Sequence, residues 1–346
     1  MTVKLTLKRL ILGALALAAL GMAFAWSGLF PIAASSGHWA ITDWFLHWTM
    51  QNSARTYSAF QTPEHVREDR ALVSAAGHFH QSCEVCHGAP GVPRSPVMQA
   101  ASPPAPDLAK TVGDYSDREL FWIVRHGVKY TGMPAWAAEG RDDEVGRMVG
   151  FLRRLPAMGA AEYSRLVGPQ RLAGSAAGGD SLARCTGCHG VDGRGRGQTD
   201  IPVIAGQKPN YILKSLQDFA AGKRRSAVMQ AAATGLSEAE MREAARHFAS
   251  QPGLTDSALP ASHPIVAEGL RGEQLPACRQ CHAPGKAAPL LSGQRPEYLA
   301  ARLRQWRGDE TVVDARKPRD PMATIARRIP EADIDALAQA AAAPAR

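Results

Sequence analysis

The chain holds six cysteines, and each belongs to one repeated pattern. The copies read Cys83-Glu-Val-Cys86-His87, Cys185-Thr-Gly-Cys188-His189 and Cys278-Arg-Gln-Cys281-His282. C-x-x-C-H is the attachment signature of c-type haem. Two thiols three positions apart lie on one helical turn, where each can form a thioether with one vinyl group. The next residue then presents its imidazole to the iron as proximal ligand. The pattern predicts three covalently bound haem c groups, held by Cys83, Cys86, Cys185, Cys188, Cys278 and Cys281, with His87, His189 and His282 on the irons.

Competing chemistries fit less well. A zinc site needs four nitrogen or sulfur ligands, commonly two C-x-x-C pairs, and three such pairs with no further cysteine do not divide that way. A thioredoxin-type redox site asks for a βαβ setting that this helical, Gly- and Pro-rich chain lacks. Disulfide staples show varied spacings rather than one triplet repeated.

A distal ligand must reach the opposite face of the ring, so it has to come from chain well beyond the attachment motif. Met229 follows His189, and Met322 follows His282, by the same 40 residues. In the first module the match is Met133, within Gly132-Met133-Pro134. Met98 is too near His87, while Met148 and Met241 fall in expected C-terminal helices and read as packing residues. Met133, Met229 and Met322 are therefore the expected axial ligands, with core packing as the competing role. Pro106, Pro202 and Pro289 each lie between motif and methionine. A proline carbonyl placed there accepts the second N–H of the proximal histidine and fixes the ring.

The elements that must position these groups repeat as well. Gly206-Gln207-Lys208-Pro209-Asn210-Tyr211 aligns with Gly293-Gln294-Arg295-Pro296-Glu297-Tyr298, and Phe219 and Trp306 follow at equal distances. This internal duplication argues for tandem domains rather than one large core. Helices are expected over Glu68 to Ser82, Asp142 to Arg154, and from a Ser237/Glu240 capping box to about Ser250. A last helix is expected to open on Pro330 at its first position and to run through Ala341. Linkers are expected near Leu155–Gly178 and Gln251–Pro264. The third module has Ala283-Pro284 where the others have Gly88 and Gly190.

Lys4, Lys8 and Arg9 precede an uncharged stretch from Leu10 to Phe30, whose 21 residues match the roughly 20 that a helix needs to span a bilayer. The leading positive charge keeps the N-terminus cytoplasmic and sends the remainder outward. Ala23-Phe24-Ala25 has the form of a signal cleavage site, but apolar sequence continues through Leu29 and Ile32, which favours an uncut anchor. Beyond it, Ile41, Trp44, Phe45 and Trp48 make one apolar helical stripe. That stripe suits a helix lying at the membrane interface or docking on a membrane partner. The resulting division is an anchor and interfacial segment over 1–60, then domains over 61–160, 161–254 and 255–346.

The 346 residues suffice for two or three domains at roughly 150 each. Charged residues make up 21% and hydrophobic ones 45%, which excludes a disordered chain and a multispanning membrane protein. The formal charge of +8 raises nucleic acid as a partner, but six propionates on three haems lower it to roughly +2 and remove that pointer. Lys223-Arg224-Arg225 and Arg316-Lys317-Arg319 are basic runs that either steer an acidic partner or form a solvated face. His78, His80 and His126 are expected in surface or packing roles near the first motif.

With these residues in place, the chain resembles a membrane-anchored triheme protein built of class I cytochrome c domains, over about residues 62–346. The first module, through His126-Gly-Val-Lys-Tyr-Thr-Gly-Met133-Pro-Ala-Trp136, is similar to modules in cytochrome c subunits of periplasmic alcohol and gluconate dehydrogenases. The second and third resemble the halves of diheme cytochrome c4 at Gly206-Gln207, Tyr211 and Met229. The resemblance implies an all-α fold of three tandem domains after a transmembrane helix, each wrapped around one low-spin haem. The dehydrogenase subunits are longer and differently anchored, so their partners do not transfer.

A haem ligated by His and Met has no open position, which favours outer-sphere electron transfer over oxygen or peroxide chemistry. The expected role is a non-enzymatic electron carrier of the bacterial inner membrane with its haem domains in the periplasm. Its donor would be a periplasmic dehydrogenase or quinol-oxidising complex, and its acceptor a cytochrome oxidase or soluble cytochrome. The alternatives are a peroxidase-like haem enzyme and a fixed cytochrome subunit of an oxidase or dehydrogenase complex.

Overall fold

Apolar residues at helical spacing set the architecture. In the helix Asp142–Arg154, Val145, Met148, Val149 and Leu152 are buried, one stripe at i, i+3, i+4 and i+7. Three acidic residues occupy its first turn and Arg153 and Arg154 its last, each sign matching the helix dipole. Met241, Ala244, Ala245 and Phe248 form the same stripe on Glu238–Ala249, which opens on a capping box between Ser237 and Glu240. Both helices agree with the sequence reading.

The computed structural model describes residues 6–64, 66, 71–168, 181–308 and 321–344. The protein is all-α. Among the described residues there is no strand, only isolated bridges between Ala89 and Val92 and between Leu270 and Leu275. Buried apolar residues gather in separate clusters. One joins Phe79, Phe151 and Tyr163, with ring centroids 5.2 Å apart for Phe79–Phe151 and 6.3 Å for Phe79–Tyr163. A second packs Ile212, Leu216 and Phe219 of Pro209–Ala220 against Met241 and Phe248. A third unites Ile265, Val266 and Ala300 with Ile329, Ile334 and Leu337. Each attachment motif borders one of them: Cys83, Cys185 and Cys278 pack against the first, second and third respectively.

Several local expectations are corrected. The first linker contains a helix, Ala160–Val167, because Tyr163 and Val167 supply an apolar face that the first core buries completely. Residues 169–178 of that linker lie outside the described residues. Pro330 does not open the last helix. It stands in extended backbone at φ −58° and ψ 137° before a short 3-10 turn, and the α-helix is Ile334–Ala342. The segment leading to the first motif is α-helical over Leu72–His78 and continues as a π-helical turn, Phe79–Cys83; the expected start at Glu68 lies outside the described residues.

The N-terminal apolar helix is Leu7–Trp26, one helix long and apolar enough to cross a membrane, and none of it is buried in the protein. It ends earlier than the uncharged stretch because Ser27 turns back to the Phe24 carbonyl and Gly28 adopts φ +72°. The next helix, Ala40–Ser58, has two unlike halves. Its C-terminal half docks on Asp117–His126, with Ala54 and Ser58 fully buried and Tyr57 stacked on Trp122 at 5.9 Å. Its N-terminal half leaves Trp44 60% and Trp48 51% exposed.

Candidate cofactor sites

All six cysteines are free of disulfides. In the first module Cys83 ends the π-helical turn and Cys86 and His87 lie on the turn Glu84–His87, so the three side chains leave one end of a helix together. Burial pushes the Cys83 thiol up to about 12 and the Cys278 thiol up to about 11. Gly88 follows His87 at φ +69° and Gly190 follows His189 at φ +78°, the left-handed backbone that favours glycine. In the third module the backbone needs no such residue, because His282 itself ends the single turn Cys278–Cys281 at φ −92° and ψ 54°. That difference explains the alanine at position 283.

Each motif histidine meets the carbonyl expected for it. His87 Nδ1 lies 2.9 Å from Pro106 O, His189 Nδ1 3.4 Å from Pro202 O, and His282 Nδ1 2.8 Å from Pro289 O. A carbonyl only accepts, so Nδ1 carries the proton and Nε2 keeps its lone pair for a metal. The chain separations are 19, 13 and 7 residues, yet the contact is the same. Burial lowers all three imidazoles, His189 to about 4, with the proline bond opposing the shift, so each is neutral and able to ligate at neutral pH.

The methionines are placed by different devices. Met133 sits on a loop closed by Val128 N to Met133 O at 3.2 Å and by Met133 N to Thr131 Oγ1 at 3.1 Å. Gly127 makes this loop possible: it adopts φ +65°, and a Cβ there would stand 2.5 Å from the Pro134 carbonyl carbon. Met229 lies in the first turn of Ala227–Thr234, its N–H donating to the Ser226 hydroxyl at 3.2 Å. Met322 is the second residue of Pro321–Arg328. Met148 and Met241 are buried in the first and second cores, the packing roles expected of them.

The second and third sets open on one shared cavity. Its lining brings together Cys185, His189 and Met229 with Cys278, His282 and Met322. Most of the remaining wall is aliphatic or aromatic, but Arg141, Arg224, Arg225 and Arg302, with Tyr211 and Tyr298, also line it, against the carboxylates of Glu144 and Asp200. Arg224 donates to Tyr211 Oη at 3.4 Å and Tyr298 Oη at 3.3 Å, bridging equivalent tyrosines of the two modules. Burial, then neighbouring Arg224, pulls Arg302 down to about 10, and its Nε is a buried donor without a hydrogen-bond partner. An apolar slot with sulfur and imidazole groups on its walls and cationic donors at one side fits a porphyrin with carboxylate substituents.

Sequence reading left several of these residues unassigned or misplaced. Arg224, read as part of a solvated or steering run, is half-buried at the module junction; Arg316, Lys317 and Arg319 lie outside the described residues. Glu144 carried no signal, yet it is buried and accepts from Ser226 Oγ at 2.6 Å, Ala227 N at 2.8 Å and Trp136 Nε1 at 3.2 Å. Arg141 pairs with it at 2.8 Å and also donates to the Arg225 carbonyl at 2.9 Å. Burial works against the Arg141 charge, but Glu144 and Asp143 outweigh it and hold the guanidinium firmly protonated. His78 is a packing residue: its ring lies 4.6 Å from Trp136, and burial pushes it down to about 4.

Residues 70–152 match the family model described as cytochrome C oxidase, cbb3-type, subunit III, and residues 175–261 match the model described as cytochrome c. The chain is 34% identical over 167 residues to the thiosulfate dehydrogenase electron acceptor of Stutzerimonas stutzeri (strain A1501), spanning 45% of this chain and 76% of that protein. It is 33% identical over 183 residues to cytochrome c4 of Pseudomonas aeruginosa, spanning 50% of this chain and 90% of the relative. The crystal structure of reduced recombinant cytochrome c4 from Pseudomonas stutzeri aligns at 31% identity with a TM-score of 0.38, over 45% of this chain and 91% of that one.

Proposed function

Because the chain belongs to the cytochrome c family, we propose that it is a membrane-anchored electron carrier with three covalently bound haem c groups. Cys83 and Cys86, Cys185 and Cys188, and Cys278 and Cys281 form the thioethers. His87 with Met133, His189 with Met229, and His282 with Met322 complete the ligand sets. Haem supplies one-electron redox chemistry, and ligation from both faces favours transfer without substrate binding at iron. The single observation that supports this reading most strongly is the histidine–proline bond, made in each of the three modules across unequal loops.

The protein's own groups do the rest. Proline carbonyls hold each Nδ1–H and aim Nε2, the apolar walls exclude water, and Arg224 and Arg302 balance carboxylate charge. The modules are residues 61–160, 161–254 and 255–346, and residues 1–60 hold them at the outer face of the inner membrane, in the periplasm. Leu7–Trp26 spans the bilayer, and the exposed Trp44 and Trp48 lie at its surface. A periplasmic dehydrogenase or quinol-oxidising complex donates, and a terminal oxidase or soluble cytochrome accepts. The likeness to a thiosulfate dehydrogenase electron acceptor supports the dehydrogenase as donor.

Intact mass of the detergent-extracted protein tests the reading. It should equal the chain plus three haem groups, iron included, with the N-terminal helix retained. A mass corresponding to fewer haems refutes the three-centre assignment, and loss of the first 25 or so residues refutes the anchor.

A further inference from the structure

The two duplicated glutamines reach across the junction and grip each other's histidine-holding loops. In the second module, the peptide group joining Pro202 to Val203 accepts from His189 Nδ1 through its carbonyl. Its N–H donates to Gln294 Oε1 of the third module at 2.8 Å, and Gln294 Nε2 donates back to Val203 O at 2.9 Å. The third module repeats this in reverse. The Pro289–Leu290 peptide accepts from His282 Nδ1, its N–H donates to Gln207 Oε1 at 3.0 Å, and Gln207 Nε2 donates to Leu290 O at 3.1 Å. Both amides are buried, at 5% exposed for Gln207 and 8% for Gln294.

Adjacent residues strengthen the exchange. Arg295 Nη1 donates to Ile201 O at 2.6 Å, and Lys208 Nζ donates to Ala288 O at 3.0 Å, so the carbonyl before each proline is also held from the other module. Each glutamine Oε1 is steadied by the next N–H, Lys208 N and Arg295 N, both at 3.0 Å. The first module is built differently. There the carbonyl before Pro106 takes Arg94 Nη1 at 3.0 Å and Gln99 Nε2 at 3.3 Å, residues of that same module.

We propose that Gln294 and Gln207 are positioning residues for the proximal histidine of the opposite module. A peptide whose N–H is hydrogen-bonded is more polarised, so its carbonyl accepts more strongly. A stronger acceptor on Nδ1–H makes the imidazole a better donor to iron and favours the oxidised metal. The electron affinity of the second centre is thereby set from the third module, and that of the third from the second. This rests on the three-haem reading, and it assigns the pair a built-in redox coupling that no bond among the described residues gives the first centre.

The test is a spectroscopic redox titration of the full-length haem-loaded protein, wild type and Q294L, with haem resonances assigned site by site by NMR. Q294L should shift the reduction equilibrium of the haem on Cys185 and Cys188 by roughly fivefold towards the reduced form, and move the haem on Cys278 and Cys281 less. Q207L should give the mirror result, and it carries the test alone if Q294L does not assemble. The first haem serves as internal control. A shift confined to the haem of the substituted module, an equal shift at both, or none overturns the proposal. A wild-type mass with fewer than three haems would instead refute the reading beneath it.

Discussion

Glu144 of the first module accepts the Ser226 hydroxyl of the second at 2.6 Å, and Ser226 in turn caps the helix carrying Met229. A buried carboxylate thus ties the first core to the helix Ala227–Thr234 of its neighbour, with Arg141 neutralising it at 2.8 Å. Replacing Glu144 with Ala leaves the Trp136 N–H and the Ala227 N–H short of an acceptor and reduces the carboxylate partners of Arg141 to Asp143. Removing one member of a buried pair costs about 3–5 kcal/mol. Denaturant unfolding should show a loss in that range for E144A, together with a weakened methionine–iron absorbance band. A change below about 0.5 kcal/mol, the size of an ordinary surface substitution, would show that the contact is incidental.

Gly127 holds φ +65° with the Pro134 carbonyl carbon 2.5 Å from where a Cβ would stand. G127A must therefore meet a left-handed backbone cost of about 1–2 kcal/mol and a clash besides. The Met133 loop should open. Thermal unfolding of the variant should be lowered and the first haem should bind carbon monoxide when reduced, whereas wild-type behaviour would refute this role for the loop.

His78 makes stability depend on acid. Burial pushes it from 6.5 down to about 4, so the unfolded chain takes up a proton below pH 6.5 and the folded protein only below about pH 4. The unfolded state binds more protons between these values, and stability present above pH 6.5 falls as pH drops through that window, by about 3 kcal/mol at most. Denaturant midpoints measured from pH 7 to pH 4 should decline less steeply for H78F than for wild type. Parallel curves would rule out His78 as the source.

M229A and M322A should each open one iron, seen as carbon monoxide binding to the reduced protein and loss of one methionine–iron band. Met148→Leu and Met241→Leu, in the first and second cores, should leave ligation intact and cost under about 1.5 kcal/mol. Carbon monoxide binding by the wild-type protein at any haem would contradict closed coordination.

Local spacing made much of this protein legible. The attachment triplets depend on positions i, i+3 and i+4 of one helical stretch, and the capping box on Ser237 and Glu240 three residues apart, so neither needs a distant partner. The proline carbonyls were within reach too, because each lies 7 to 19 residues from its histidine. The helix Ala160–Val167 was missed because its Gly- and Ala-rich surroundings mask a short apolar face that forms only against Phe79 and Phe151.

Other features arise only when remote segments meet. Gln294 and Val203 are 91 residues apart, Gln207 and Leu290 83, and Glu144 and Ser226 82. A glutamine, glutamate or arginine carries the same letter whether water or another module surrounds it, and no periodicity marks the difference. Which haem chemistry to expect followed from the order of residues. How the centres are joined followed from burial, since a polar group withdrawn from water must find its partner wherever the folded chain places one.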